Sequence, residues 1–292
     1  MTSDAQTGSD EGPPGVGPRT MGYRPLALGT PRPPARLTWA LAGAAWILGC
    51  RPDPAPLPLQ SSAAVVAEEA PRCTPPHVRI VGPAVAPADT TLVMLHGYGS
   101  DSANIEPVAR ALAGASPHLV VIVPDGCDPS EGVPGGRQWL ARRDPSRGGP
   151  PDRDRGARLA VAAGRVARFV DAELQSRGLP RDRMVWAGFS QGAMLSQWMA
   201  VHATPTPLAV VSFSGRFDDD SPVGTPVGTP VLLVHGTRDP VIPFAESRRA
   251  EESLVARGAH VEHLDRPDMA HSIDSESLAA AVAFLRRSLG PR

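Results

Sequence analysis

The stretch that decides the fold is Met184-Val-Trp-Ala-Gly-Phe-Ser-Gln-Gly-Ala-Met194. Its first four residues are apolar, as in a buried strand, and residues 193–200 have the pattern of a helix. Between them stands Gly-x-Ser-x-Gly, in which the glycines permit a tight turn that exposes a serine hydroxyl at the start of a helix. A plain turn serine also fits the five-residue pattern, but the strand before it and the helix after it favour a nucleophile at Ser190.

Apolar runs of strand length alternate with amphipathic segments on both sides of this turn. The predicted strands cover residues 91–95, 119–123, 184–187, 208–213 and 230–234. Helices are predicted over 246–257, over 275–289, and over a segment that ends at Gly178 and contains Leu159, Ala163, Val166, Val170 and Leu174. Strands that are apolar almost throughout are covered on both faces. We therefore predict an α/β fold, with a mostly parallel sheet and helices on both faces.

A serine nucleophile needs a base that takes its proton and a carboxylate that orients the base. In folds with this turn, the chain order is serine, then aspartate or glutamate, then histidine. Asp239 lies in the loop after the last predicted strand, and His271 follows the β-rich run 260–264. Asp268, three residues before His271, is the alternative carboxylate. Because ligands of parallel sheets bind beyond the carboxyl ends of the strands, these loops should meet Ser190.

An acyl-transfer site also needs donors for the negative oxygen of the tetrahedral intermediate. One predicted donor is the backbone amide of Gln191, directly after the nucleophile and at a helix amino terminus. The other is the amide of Tyr98 in Leu95-His-Gly-Tyr-Gly-Ser100, a glycine-rich loop that follows an early strand. A purely structural turn between a strand and a helix is the alternative interpretation of this loop.

Charge and composition exclude several classes of function. The chain has 29 basic and 30 acidic residues, so it lacks the electrostatic footprint of a nucleic-acid-binding protein. Every basic residue is arginine, which excludes a Schiff-base lysine, a pyridoxal phosphate site and a P-loop. The hydrophobic fraction of 41% is that of an ordinary globular domain.

The amino-terminal part of the chain has the features of an export signal. Residues 37–48 form an uncharged apolar stretch that is preceded by arginines and is too short to span a bilayer. Ile47-Leu-Gly-Cys50 resembles the bacterial lipobox, in which the cysteine becomes linked to diacylglycerol after cleavage. An ordinary signal peptide, or a buried apolar helix with an incidental Cys50, is the alternative.

Three regions follow from these observations. Residues 1–49 are predicted to be the signal region, with Met21 as the hypothesised true start, and residues 50–77 to be a proline-rich tether. Residues 78–292 are predicted to be the α/β domain. The expected location is the cell envelope, with the protein anchored to a membrane through lipidated Cys50; a secreted or periplasmic protein is the alternative.

The chain has three cysteines. If Cys50 carries lipid, Cys73 and Cys127 remain as a pair in an oxidising compartment. We predict a disulfide between them, with two free thiols as the alternative.

Four motifs together resemble the phospholipase/carboxylesterase family of α/β-hydrolases, which includes acyl-protein thioesterases and small bacterial carboxylesterases. The motifs are Leu95-His-Gly-Tyr-Gly99, Gly188-Phe-Ser-Gln-Gly-Ala-Met194, His235-Gly-Thr-Arg-Asp-Pro-Val-Ile-Pro243 and Ala270-His271. The resemblance spans about Val78 to the carboxyl terminus. It implies a serine esterase without metal or organic cofactor, in which Ser190, Asp239 and His271 form the triad and the amides of Tyr98 and Gln191 form the oxyanion hole.

A fifth segment, Gly135-Gly-Arg-Gln-Trp139, matches one that borders the acyl site in members of the family. Trp139, Leu140 and Met194 are therefore expected to form an apolar wall near the substrate. Leu140-Ala141 replaces the usual Phe-Asp of the family, so its substrate preference does not transfer to this chain.

The expected substrate is a small carboxylic ester or thioester. An acyltransferase or a peptidase that uses the same triad is an alternative, because these enzymes differ from a hydrolase only in the acceptor that resolves the acyl-enzyme. A membrane-tethered binding module without catalytic activity is a second alternative.

Overall fold

The computed structural model of the protein describes residues 73–82, 88–143 and 154–290. The predicted signal region, the Met21 start, the lipid site at Cys50 and most of the tether lie outside the described residues. In the parts of the chain that are described, no helix has the length and apolarity needed to cross a membrane.

The core of the domain is a seven-stranded sheet in the order β1-β3-β2-β6-β7-β8-β9. The strands are β1 (Val78–Val81), β2 (Thr90–Leu95), β3 (Leu119–Pro124), β4 (Asp128–Pro129), β5 (Arg137–Gln138), β6 (Met184–Phe189), β7 (Ala209–Phe213), β8 (Pro230–Gly236) and β9 (His260–Arg266). Only β1 runs antiparallel to its neighbour in this sheet, while β4 and β5 form a separate small ribbon. The predicted mostly parallel sheet is confirmed.

Helices cover both faces of the sheet, as predicted. They are α1 (Ser102–Ala113), α2 (Arg155–Arg177), α3 (Gln191–His202), α4 (Phe244–Ala256) and α5 (Ser275–Leu289). Successive side chains of β2 point to opposite faces: Val93 and Leu95 pack in the cluster with α2, α3 and α4, whereas Leu92 and Met94 pack in the cluster with α1 and α5. All six residues of β2 are buried, which explains why its sequence shows no polar face.

Helix α1 is absent from our sequence-based prediction. Its buried residues Ser102, Ile105, Ala109 and Leu112 recur at helical spacing, and Asp101 caps the amino terminus by accepting a hydrogen bond from Asn104 N. Pro107 lies inside the helix but on its exposed side. The proline obscured a periodic pattern that was present in the sequence.

The domain begins before the predicted boundary at Val78. Cys73 and Cys127 form a disulfide whose Cα atoms are 5.1 Å apart, and Asp125 N donates to His77 O at 2.9 Å. Residues 73–77, which the sequence assigned to the tether, therefore pack against the loop after β3.

Candidate active site

Ser190 occupies the sharp turn between β6 and α3. Its φ of 55° and ψ of −114° are unusual for a residue with a side chain, and such a conformation persists only where the surroundings impose it. Ser190 N donates to Phe213 O at the end of β7, and Met194 N donates to Ser190 O within the first turn of α3. Hydrogen bonds to the neighbouring strand and within its own helix thus hold the strained Ser190 in place.

The two glycines of the turn are required by close backbone approach. A Cβ at Gly188 would lie 2.2 Å from the carbonyl of Gly192, and a Cβ at Gly192 would lie 2.2 Å from Leu95 O. Neither contact is possible without moving the backbone. The glycines therefore let α3 begin directly against the carboxyl end of β2, with Ser190 at its amino terminus.

Asp239 and His271 are joined at the ends of β8 and β9. His271 Nδ1 lies 2.7 Å from Asp239 Oδ2, and Asp239 Oδ1 accepts hydrogen bonds from the backbone amides of Val241 and Ile242 at 2.8 and 2.9 Å. The Asp239 side chain is 0% exposed and that of His271 is 15% exposed. Each carboxylate oxygen thus has a defined role, one orienting the imidazole and the other holding the loop.

Asp268, the alternative carboxylate, is exposed and has a different partner. Its side chain is 72% exposed and forms an ion pair with Arg238 at 2.7 Å. Of the two carboxylates that the sequence left open, Asp239 is therefore the one bonded to His271.

The ring of His271 packs beside the serine turn. Its centroid lies 4.8 Å from that of Phe189, the residue directly before Ser190. The structure thus brings all three predicted catalytic residues to one edge of the sheet.

His235 is a buried support for this pair, a role that the sequence did not suggest. Its Nε2 lies 2.9 Å from Ile242 O, and because a carbonyl can only accept, this nitrogen carries the proton. The same nitrogen is 3.3 Å from Asp239 Oδ2. Burial lowers the pKa of His235 below its usual value, with the hydrogen bond to Ile242 acting in the opposite sense. A neutral imidazole therefore braces the loop that carries Asp239.

The glycine-rich loop after β2 lies directly against Ser190. A Cβ at Gly97 would be 3.2 Å from Ser190 Cβ, and Gly99 has a φ of +74° that favours glycine. Among the described residues, the amides of Tyr98 and Gln191 have no hydrogen-bond acceptor. Both predicted oxyanion donors thus belong to segments that adjoin Ser190.

His96 fixes the shape of this loop. Gly126 N donates to His96 Nε2 at 2.8 Å, so the proton must be on Nδ1, which donates to Gly97 O at 2.7 Å. Burial lowers the pKa of His96 and so favours this neutral form. The Trp139 indole N–H donates to His96 O at 2.8 Å. In the sequence, this role of His96 is indicated only by its position at the end of a buried strand.

The side chain of Gln191 ties the serine turn to the segment that contains Trp139. Gln191 Oε1 accepts from Trp139 N at 3.0 Å, and Gln191 Nε2 donates to Leu140 O at 2.7 Å. Trp139 is only 1% exposed, so it lies beneath the site and supports it instead of forming the predicted wall.

A cleft of about 280 Å³ opens at Ser190. The predicted wall residues Leu140 and Met194 line it. Among the described residues, the lining consists of Tyr98, Leu140, Ala141, Arg142, Arg143, Arg155, Arg158, Ser190, Gln191, Met194, Arg216, Val241 and Ile242. Within the described ranges, no cluster of three or more histidine, cysteine, aspartate or glutamate side chains could hold a metal ion.

The sequence is similar to those of known esterases and thioesterases. A family model described as Phospholipase/Carboxylesterase matches residues 76–289. The chain belongs to the phospholipase/carboxylesterase family. Among its relatives, the esterase YpfH of Escherichia coli (strain K12) is 29% identical over 204 residues, which cover 70% of this chain and 84% of that esterase. Acyl-protein thioesterase 1 of Schizosaccharomyces pombe is 28% identical over 218 residues, covering 72% of this chain and 96% of the thioesterase.

Solved structures of similar proteins agree with the fold. The crystal structure of esterase PE8 has a TM-score of 0.61 and 25% identity, covering 72% of this chain and 97% of its own. The Bacillus cereus carboxylesterase has a TM-score of 0.62 at 18% identity, covering 78% of this chain and 100% of its own, and shows the fold alone. The predicted α/β-hydrolase fold is confirmed, and so, at the level of the family, is the prediction of a carboxylic ester hydrolase.

Proposed function

We propose that this member of the phospholipase/carboxylesterase family hydrolyses carboxylic esters or thioesters through an acyl-enzyme on Ser190, with His271 as the base and Asp239 as its orienting carboxylate. The observation that carries the proposal is the 2.7 Å contact between His271 Nδ1 and the fully buried Asp239 carboxylate. An acceptor at Nδ1 keeps the proton on that nitrogen and leaves Nε2 free to act as a base.

The reaction proceeds in two halves. His271 Nε2 takes the proton of the Ser190 hydroxyl while the oxygen attacks the carbonyl carbon of the substrate, and the resulting imidazolium then gives the proton to the departing alcohol or thiol. The product of this half is an ester between the acyl group and Ser190. Water then attacks that ester with the same help from His271, and the free acid leaves.

The amides of Tyr98 and Gln191 are proposed to bind the negative oxygen of both tetrahedral intermediates. Such preorganised donors need no rearrangement as charge develops, and one of them is worth about 10²–10³-fold in rate in comparable sites. The hydrogen bonds of His96 and the Gln191 side chain support this role, because they hold the two donor segments in place.

Release of the free acid distinguishes a hydrolase from the acyltransferase and peptidase alternatives. With p-nitrophenyl butyrate, we expect butyric acid and p-nitrophenol in equal amounts, even when glycerol or an amino acid amide is present as a competing acceptor. Accumulation of the acylated acceptor in place of butyric acid would support an acyltransferase. Cleavage of peptides faster than of this ester would support a peptidase.

We further propose that the mature protein is exported and tethered to the cell-envelope membrane by lipid on Cys50. The motif that supports this lies outside the described residues, while the Cys73–Cys127 disulfide is typical of an oxidising compartment. Cys50→Ser is expected to move the protein from the membrane fraction to the soluble fraction without loss of esterase activity. Recovery of the variant in the membrane fraction would contradict lipid anchoring and favour another mode of attachment.

Peptides from residues 2–20 in the unprocessed protein would contradict a start at Met21.

A further inference from the structure

We infer that the cleft beside Ser190 recognises an anionic group, so that the preferred substrates are esters with a carboxylate or a phosphate close to the scissile carbonyl. This inference rests on the proposed function and narrows its substrate class.

The first observation is the concentration of positive charge in the cleft. Among the described residues that line it, five are arginine and none is aspartate or glutamate. The chain as a whole has a net charge of −1, so this concentration is local and does not reflect a basic protein. The arginines of this cluster are Arg142, Arg143, Arg155, Arg158 and Arg216.

Two carboxylates of the described residues form ion pairs with four of these arginines. Asp154 pairs with Arg143 at 2.5 Å and with Arg158 at 3.5 Å. Asp218 pairs with Arg216 at 2.8 Å and with Arg155 at 3.6 Å. Each of these two carboxylates is thus shared between two guanidinium groups, and Arg142 is outside these ion pairs.

Arg142 is the member of the cluster that these ion pairs leave out. An anionic ligand in the cleft can therefore bind to its guanidinium group without displacing a carboxylate of the described residues.

Arg142 is placed to contact such a ligand near the reacting bond. Its guanidinium lies 5.1 Å from the centroid of the Tyr98 ring, and the Tyr98 hydroxyl donates a hydrogen bond to Glu131 O. Stacking on an aromatic face restricts a guanidinium while leaving the N–H groups at its edge free to donate. Among the described residues, Arg142 has no carboxylate partner. The residue whose amide is proposed to bind the oxyanion thus also carries a cation at the mouth of the cleft.

The rest of the cleft is apolar. Leu140, Met194, Val241 and Ile242 line it together with the arginines. A substrate with a short hydrocarbon part and an anionic end matches both surfaces. Guanidinium groups donate paired hydrogen bonds to carboxylate and phosphate oxygens, which gives this recognition directional specificity.

Matched esters that differ only in charge test the inference. 4-Acetoxybenzoate and 4-acetoxyphenyl phosphate carry the anion on the leaving group, and 4-acetoxybenzamide is their neutral counterpart. On the acyl side, 4-nitrophenyl 4-carboxybenzoate is compared with the corresponding 4-carbamoyl ester. We expect kcat/KM for at least one anionic ester to exceed that of its neutral partner by about tenfold, the size expected of one hydrogen bond to a charged group. The carboxylate and phosphate compounds show which oxyanion is preferred.

Variants then assign the preference to the cleft. Arg142→Gln is expected to lower kcat/KM for the preferred anionic ester by about tenfold and to change that of the neutral ester by less than about twofold. The double variant Arg142→Gln/Arg143→Gln should have a still lower kcat/KM for the anionic ester. Arg249→Gln, an exposed arginine of α4 outside the cleft, removes the same charge from the protein and should change neither value.

Two results would overturn the inference. One is equal kcat/KM for the charged and neutral esters on both the acyl side and the leaving-group side. The other is an equal loss for both kinds of ester in Arg142→Gln, which would indicate a structural role for this residue. Failure to hydrolyse any of the esters would instead contradict the proposed function, so the two failures are distinguishable.

Discussion

Ser190→Ala is expected to lower kcat for p-nitrophenyl butyrate by about 10⁴-fold or more, because removal of a serine nucleophile leaves only the contribution of oxyanion binding and substrate positioning. The substitution deletes one oxygen at a partly exposed turn, and alanine keeps the Cβ that the turn already accommodates. The melting temperature should therefore change little. Initial rates under saturating substrate, measured beside a thermal unfolding curve, provide the test.

Ser196→Ala is the matched control for this prediction. Ser196 lies on the same helix, and its buried hydroxyl donates to Gly192 O within that helix. This variant should retain activity within about threefold of the unmodified protein, since it loses one hydrogen bond remote from the reaction. If Ser190→Ala kept more than about 1% of the original kcat, a covalent mechanism at Ser190 would be untenable.

Asp239→Asn is expected to lower kcat by about 10⁴-fold, as in a triad whose orienting carboxylate becomes an amide. An amide at this position keeps the size of the side chain, but its NH₂ group can present a donor to His271. The imidazole would then place its proton on Nε2, the nitrogen that must act as the base. The loss should appear in kcat more than in KM, because ground-state binding does not depend on this proton.

Asp268→Asn is the control that separates the two candidate carboxylates. Asp268 has a φ of 60°, a conformation that asparagine also tolerates. Among the described residues, its side chain forms an ion pair only with Arg238. The kcat of this variant should stay within about twofold of that of the unmodified protein, because loss of an exposed ion pair usually has a small effect. A large loss in Asp268→Asn with normal activity in Asp239→Asn would reverse the assignment.

The fold could be predicted because the central strands are buried on both faces. Every residue of β2 and β3 is buried, so their apolar runs stand out in the sequence. Helix α1 was missed because Pro107 interrupts its pattern, and the antiparallel direction of β1 depends on pairing with β3, a contact that no local pattern records. The start of the domain was misplaced because the contacts of residues 73–77 are made with a loop about 50 residues later in the chain.

The catalytic candidates could be predicted because each follows a strand and their order along the chain is characteristic. The residues that support the catalytic residues could not be predicted from the sequence. His96 and His235 each stand next to a glycine in the sequence, and only the fold shows that both are buried and hydrogen-bonded to backbone groups. The arginine cluster is assembled from the loop after β5, the start of α2 and Arg216 after β7. Residues so far apart in sequence carry no common pattern, so their convergence emerges only from tertiary structure.

The most direct test of a nucleophile at Ser190 is covalent labelling with a fluorophosphonate, followed by trypsin digestion and peptide mass spectrometry. Because the chain has no lysine, trypsin should release residues 184–216 as one peptide, which contains Ser190 and three other serines. We expect a single adduct on Ser190, in step with complete loss of esterase activity, and no adduct on this peptide in Ser190→Ala. An adduct on another residue, or full activity in protein labelled at Ser190, would contradict the mechanism.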